Sequence, residues 1–238
     1  MIKTFLTWEE IQQMRQNAES LRDQLVITFL GDSGCRVSEM LKVKVENVDL
    51  EGGVVLIHHL KRGLRKTCHK CGKSTGRSQK FCSYCGADVS KVIAVGIEER
   101  SRLINIGADT VSLIQEYITA KKLKPSNYLI NLTRQSVYYI VRRLANSIGI
   151  KGKAMLNPET RKHHYVHPHD FRASLATEWL TIAKEDVGKQ KALQEHLGHK
   201  NFETTMRYHK LKPSRVKTVR DEIRKAMKPK GRKPLGKT

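Results

Sequence analysis

A chain of 238 residues with 39% hydrophobic side chains can bury a core and is too apolar for wholesale disorder. Its 45 Lys and Arg against 23 Asp and Glu leave a formal net charge of +22. A protein of small neutral metabolites has no use for that excess, whereas a protein that sits on polyphosphate gains from every phosphate it neutralises. No run of 18 apolar residues exists, and Met1–Leu6 offers neither an h-region nor a cleavage site, so no membrane partner and no secretion are expected.

The excess charge is unevenly spread. Residues 1–60 hold six basic and nine acidic side chains, whereas residues 61–80 hold eight basic and no acidic ones, and residues 207–238 hold 13 basic and two acidic ones. Two basic surfaces or arms are therefore expected to touch a nucleic-acid backbone.

In chain order, Thr7-Trp8-Glu9-Glu10 has the form of a capping box and opens a helix that continues through Ile11 and Met14. A second helix is expected over Leu21–Leu30, ending at the glycines of Gly31-Asp32-Ser33-Gly34, and a third starts at Arg36. Val54–Ile57, Val92–Val95 and Leu103–Ile106 are apolar and largely β-branched, hence strands. Apolar spacing then turns helical at Val111, Ile114 and Ile118, and again at Val137, Ile140, Val141 and Leu144, with Gly149 closing the segment. Residues 151–168 read as a polar connection, followed by helices over Phe171–Leu180, Lys191–Leu197 and Arg215–Met227. The fold class is mainly α with one small antiparallel sheet (α+β). The domain division is 1–65 with 91–227 as the main domain, 66–90 as an insertion, and 228–238 as a basic flexible tail.

The insertion carries Cys68-His69-Lys70-Cys71-Gly72 and Cys82-Ser83-Tyr84-Cys85-Gly86. Two residues between cysteines let both sulfurs reach one ion, and the glycine lets the chain reverse behind them. Two such knuckles predict a closed structural zinc site with Cys68, Cys71, Cys82 and Cys85 as ligands. Such a short segment buries too little to fold alone, so the ion supplies its folding energy. The fifth cysteine, Cys35, stands alone and reads as a small core residue.

Four separated motifs remain: Gly34-Cys35-Arg36-Val37-Ser38-Glu39, His58-His59-Leu60-Lys61-Arg62-Gly63, His167-Pro168-His169-Asp170-Phe171-Arg172, and Leu197-Gly198-His199 with Tyr208 nine residues on. In this order they resemble the catalytic domain of the tyrosine recombinases, the integrase family of phages, archaeal viruses and plasmids. The resemblance covers roughly residues 5–215, interrupted by the cysteine module, which looks like an insertion in integrases of archaeal mobile elements.

The resemblance implies an enzyme that cuts and rejoins DNA. Arg36 and Arg172 match the two family arginines, whose planar forks suit the non-bridging oxygens of a scissile phosphate. His169 and His199 match the family histidines, the first a base or phosphate ligand, the second a donor to a phosphate oxygen. Lys61 matches the hairpin lysine, the general acid for the departing 5′-oxygen, with Lys66 as its rival. Glu39 falls where the family often has an acid that orients the network. Tyr208 matches the nucleophile; a phenol ionises near pH 10, so it needs a base and the arginine field. Tyr208 attack yields a 3′-phosphotyrosyl link and a free 5′-hydroxyl, and a partner strand's hydroxyl reverses the step without ATP or a catalytic metal.

The further implications are double-stranded DNA as partner, a homo-tetramer on that DNA, and a cytoplasmic, prokaryotic setting on a virus or plasmid. Type IB topoisomerase activity, which uses the same chemistry, and a non-catalytic DNA-binding role are the alternatives. Family members usually carry a helical clamp domain before the catalytic one. Only a few residues precede the capping box here, so a fragment and a half clamp both remain open.

Overall fold

The computed structural model describes residues 3–58, 65–76, 78–93, 101–157 and 159–208. Thr7 caps helix α1 (Trp8–Gln16) as expected: its hydroxyl accepts from the Glu10 N–H at 3.3 Å, and the Glu10 carboxylate accepts from the Thr7 N–H at 2.9 Å. Helix α2 (Leu21–Ser33) is nearly all buried and forms the axis of the domain, packing against α1 and four later helices. It ends at Gly34, whose φ of +56° suits a residue without a side chain; a Cβ there would also come within 2.7 Å of Leu175 Cδ2. The helix expected from Arg36 is a single turn, α3 (Val37–Met40), with Arg36 as its cap.

Strands β1 (Val48–Asp49), β2 (Val54–His58) and β5 (Ser101–Asn105) make one antiparallel sheet, with β2 in the middle and His58 opposite Ser101. Between β2 and β5 the chain leaves to form a separate two-stranded ladder, β3 (Arg65–Thr67) against β4 (Ser74–Gly76). Of the strand expected over Val92–Val95, Val92 and Ile93 belong to no strand, and the rest lies outside the described residues.

Helices α4 (Ala108–Lys121) and α5 (Arg134–Ser147) follow the expected periodicity. The connection over 151–168 holds a hairpin that sequence reading did not foresee, β6 (Met155–Leu156) with β7 (His163–His164). Two-residue strands bury too few side chains to leave an alternating pattern. Helices α6 (Pro168–Ala183), α7 (Val187–Leu197) and α8 (Phe202–Met206) complete the order; the helix expected over Arg215–Met227 lies outside the described residues.

The main core runs from Leu6 through α2, the sheet, α4 and α5 to Phe171. A second cluster joins Ala176 and Leu180 of α6 to Leu193 and Leu197 of α7, with Met206 and Tyr208 packed on it. Burial at about 25 cal/mol per Å² thus holds the segment that carries Tyr208 to the domain.

Candidate active site

Arg172 is the largest fully buried side chain, 1% exposed, and enters from the first turns of α6. Its Nη1 donates to the Gly34 carbonyl at 2.9 Å, its Nη2 to the Leu197 carbonyl at 2.7 Å, and Nη2 also lies 2.7 Å from His199 Nε2. Its Nε is buried without a protein partner. The guanidinium therefore ties the ends of α2 and α7 together. Burial lowers its pKa, and the Tyr208 phenol acts against that shift.

Arginine only donates, so His199 Nε2 must accept, which puts the ring proton on Nδ1, 2.8 Å from the wholly buried Thr205 hydroxyl. Desolvation first, then the charges of Arg172, Arg36 and Arg102, pull the His199 pKa down to about 3. Sequence reading made His199 a donor; in this arrangement its Nε2 is a neutral acceptor. The Tyr208 ring stacks beside it, centroids 6.0 Å apart and 14° from parallel. Gly198, at φ +67°, caps α7 and turns the chain toward His199.

Arg36 is half exposed, and its Nη1 lies 2.8 Å from Glu39 Oε1, while the Arg36 N–H donates to Glu39 Oε2 at 3.0 Å. Glu39 is 2% exposed and also receives Arg102 Nη2 at 3.0 Å. Burial alone would raise the Glu39 carboxyl, but the hydrogen bond and charge of Arg102, then Arg36, outweigh it and hold the pKa at about 2. Arg102 further donates from Nε to the His196 carbonyl at 2.7 Å, and His196 Nε2 lies 2.9 Å from the Ser33 carbonyl. Glu39 thus joins Arg36 to the sheet. Arg102, which sequence reading missed, joins the sheet to α7. A lone strand arginine has no motif to mark it, and only its burial between β5 and α7 reveals it.

His169 stands at the exposed second position of α6, with desolvation, then Arg172 and His167, lowering its pKa. Arg36, His169, Arg172, His199 and Tyr208 all line one cavity of about 680 Å³. Five of the seven residues proposed from the sequence thus meet, and Glu39 stands directly behind Arg36. Lys61 lies outside the described residues. Its rival Lys66 is committed elsewhere: its buried Nζ donates to the carbonyls of Val89 at 2.9 Å and of Gln79 and Ser90 at 3.3 Å, bracing the cysteine module.

In that module Cys68 Sγ lies 3.6 Å from Cys85 Sγ, and Cys71 Sγ 3.6 Å from Cys82 Sγ, with all four sulfurs within 4.8 Å of one another. A tetrahedron with metal–sulfur bonds of ~2.3 Å has edges of about 3.8 Å, so the four thiols fit one metal ion. Gly72 and Gly86, at φ +68° and +73°, close the two knuckles by donating to the Cys68 and Cys82 carbonyls. Cys35 is 1% exposed, and burial raises its pKa to about 11, as suits a core thiol.

Residues 4–215 match the phage integrase family. The chain belongs to that family. Among curated relatives it is similar to the tyrosine recombinase XerA of Pyrococcus horikoshii, 26% identical over 221 residues, which cover 93% of this chain and 60% of the relative. It is likewise similar to the type 1 fimbriae regulatory protein FimE of Escherichia coli K12, 26% identical over 210 residues, covering 87% and 85%. The crystal structure of XerA recombinase shares the fold, with a TM-score of 0.60 at 17% identity, over 94% of this chain and 66% of the other. The integrase-family chain thus spans about three fifths of the length of that first recombinase relative. Among the described residues no helix is long and apolar enough to cross a membrane.

Proposed function

We propose that this chain is the catalytic part of a site-specific DNA recombinase that breaks and rejoins strands through a 3′-phosphotyrosyl intermediate. The observation that carries the reading is the convergence of two arginines, two histidines and Tyr208 on one cavity. Arg36 and Arg172 face the non-bridging oxygens of the scissile phosphate and neutralise charge that builds up in the transition state. The unpartnered Nε of Arg172 is a donor already desolvated for that purpose. Tyr208 attacks phosphorus, His169 takes up its proton, and Lys61 protonates the departing 5′-oxygen. An incoming phosphate offers Arg172 an anionic acceptor and offsets the positive charges that hold His199 neutral. His199 then takes a proton from solvent at Nε2 and donates that N–H in a hydrogen bond to a phosphate oxygen. Phosphoester energy is kept in the tyrosyl link, so the step needs neither ATP nor a catalytic metal.

The four cysteines hold one structural zinc ion, which supplies the folding energy of the module. Three lysine contacts to carbonyls brace it, and its basic flank, with the basic tail, adds backbone contacts on double-stranded DNA. A tetramer assembles on that DNA, and the chain works in the cytoplasm of a prokaryote as part of a virus or plasmid. The deciding experiment uses a nicked suicide substrate, which lets the cut strand diffuse away. A covalent DNA–protein adduct is expected from the native chain and none from Tyr208→Phe, with DNA affinity nearly unchanged. An adduct that survives in Tyr208→Phe moves the nucleophile to another residue.

A further inference from the structure

Beside the phosphate-facing groups, at the start of α6, three side chains converge for which the proposed reaction has no use. Strand β7 brings in His164, the α6 cap brings in His167, and the first turn brings in Asp170, which is 4% exposed. His164 Nε2 lies 3.1 Å from Asp170 Oδ1, and His167 Nδ1 lies 3.2 Å from Asp170 Oδ2. The two imidazoles are stacked, centroids 4.5 Å apart and 19° from parallel. Part of this is ordinary capping, since Asp170 also accepts from the His167 N–H at 2.8 Å. The atom His167 Nδ1 is buried and meets no hydrogen-bond geometry, although the Asp170 carboxylate lies 3.2 Å away and the capping Asp170 N–H faces the same ring.

We infer that His164, His167 and Asp170 form a second metal site, separate from the four cysteines, that takes a divalent transition ion of the zinc, cobalt or nickel class. Metal bonds of ~2.0–2.1 Å imply ligand–ligand edges of about 2.9 Å in an octahedral and about 3.4 Å in a tetrahedral shell. The two nitrogens approach different oxygens of Asp170, at 3.1 and 3.2 Å, which suits a carboxylate gripping one ion through both oxygens, and one ligand atom from each residue lies within 4.8 Å of the others. Two imidazoles and one carboxylate leave positions open for water or a phosphate oxygen. The surroundings select the ion. A helix N-terminus and nearby arginines repel cations, so charge alone does not hold one here. Only an ion that gains from imidazole coordination overcomes that field, which excludes Mg²⁺ and Ca²⁺. The three ligands line the same cavity as His169 and Arg172.

The test titrates Co²⁺ into the full chain, purified with its cysteine module metal-loaded, and follows the visible spectrum and the ring-proton shifts of the histidines. One further equivalent is expected, with nitrogen- and oxygen-type bands, no thiolate charge-transfer band, and paramagnetic shifts at His164 and His167. His164→Ala and, separately, His167→Gln should each weaken it by at least the roughly 10–100-fold that loss of an outer-shell partner costs. Mg²⁺ in large excess should leave the signal unchanged. Melting curves in the absence of cobalt show whether each variant is folded, and two independent variants guard against one that is not. No further equivalent, an equivalent with thiolate bands only, or binding unchanged in both folded variants overturns the proposal. None of these readouts depends on DNA cleavage, so failure here leaves the recombinase reading intact, and the reverse holds too.

Discussion

Replacing Arg102 by Met tests the buried network behind Arg36. Arg102 is 9% exposed and Glu39 2%, so the change takes from a desolvated carboxylate the guanidinium that reaches it at 3.0 Å. Two routes give the size. Removing one partner of a buried ion pair costs about 3–5 kcal/mol. For comparison, the net lowering of the Glu39 pKa from 4.5 to about 2, to which Arg36 also contributes, corresponds at 1.36 kcal/mol per unit to about 3 kcal/mol. At this chain length, about 3 kcal/mol lowers Tm by about 6–12 °C. The pH dependence is sharper still. In the native chain the Glu39 pKa lies below its unfolded value, so its contribution is present above about pH 4.5 and lost as pH falls toward 2. In Arg102→Met, burial is no longer opposed by Arg102 and the carboxyl rises. The stability that Glu39 contributes above about pH 4.5 then shrinks, because a smaller lowering of its pKa is left. The double variant Arg102→Met with Glu39→Met, which removes both charges, should regain most of the loss. Denaturant unfolding across pH 3–8 reads all of this. A single variant that costs under about 1 kcal/mol, or a double variant no more stable than the single one, would refute the account of Glu39 as a carboxylate held by Arg102.

Arg172→Lys should reduce adduct formation roughly 10²-fold or more, because one ammonium cannot span the carbonyls of Gly34 and Leu197 and still reach His199; rates on the suicide substrate check this. His199, neutral when folded with a pKa of about 3, costs stability as pH falls below its ordinary 6.5, since the unfolded chain then binds the proton more readily. His199→Gln should flatten the stability profile between pH 6.5 and 3. Cleavage should proceed in EDTA over short times, and a strict need for added Mg²⁺ would contradict arginine-based charge neutralisation. Cys82→Ser with Cys85→Ser should lose about one zinc per chain by elemental analysis, weaken DNA binding, flatten its salt dependence and slow cleavage, while the α-helical domain still melts cooperatively.

The features legible in the sequence are those set by local chemistry. The capping box at Thr7, the helical stripes of α4 and α5, and the paired knuckles of Cys68, Cys71, Cys82 and Cys85 each depend on neighbours a few residues away. Motif order also marked Arg36, His169, Arg172, His199 and Tyr208, although nothing local could say that they share a cavity. Tertiary structure decided the rest, because the partners come from distant segments. Arg102 is 63 residues from the carboxylate it holds, and Arg172 donates to a carbonyl 138 residues away. The acceptor state of His199 follows from the arginine pressed against it. Lys66, equal to Lys61 as a letter in a basic run, is spent on three carbonyls that only folding brings round it. His164 reads as polar linker in sequence, and His167 and Asp170 as flanks of the motif that carries His169 and Arg172; a two-residue strand lays His164 over the cap of α6 and brings the three together. Charge and spacing along a chain specify which groups are available; burial specifies which are paired, neutral or left to bind something else.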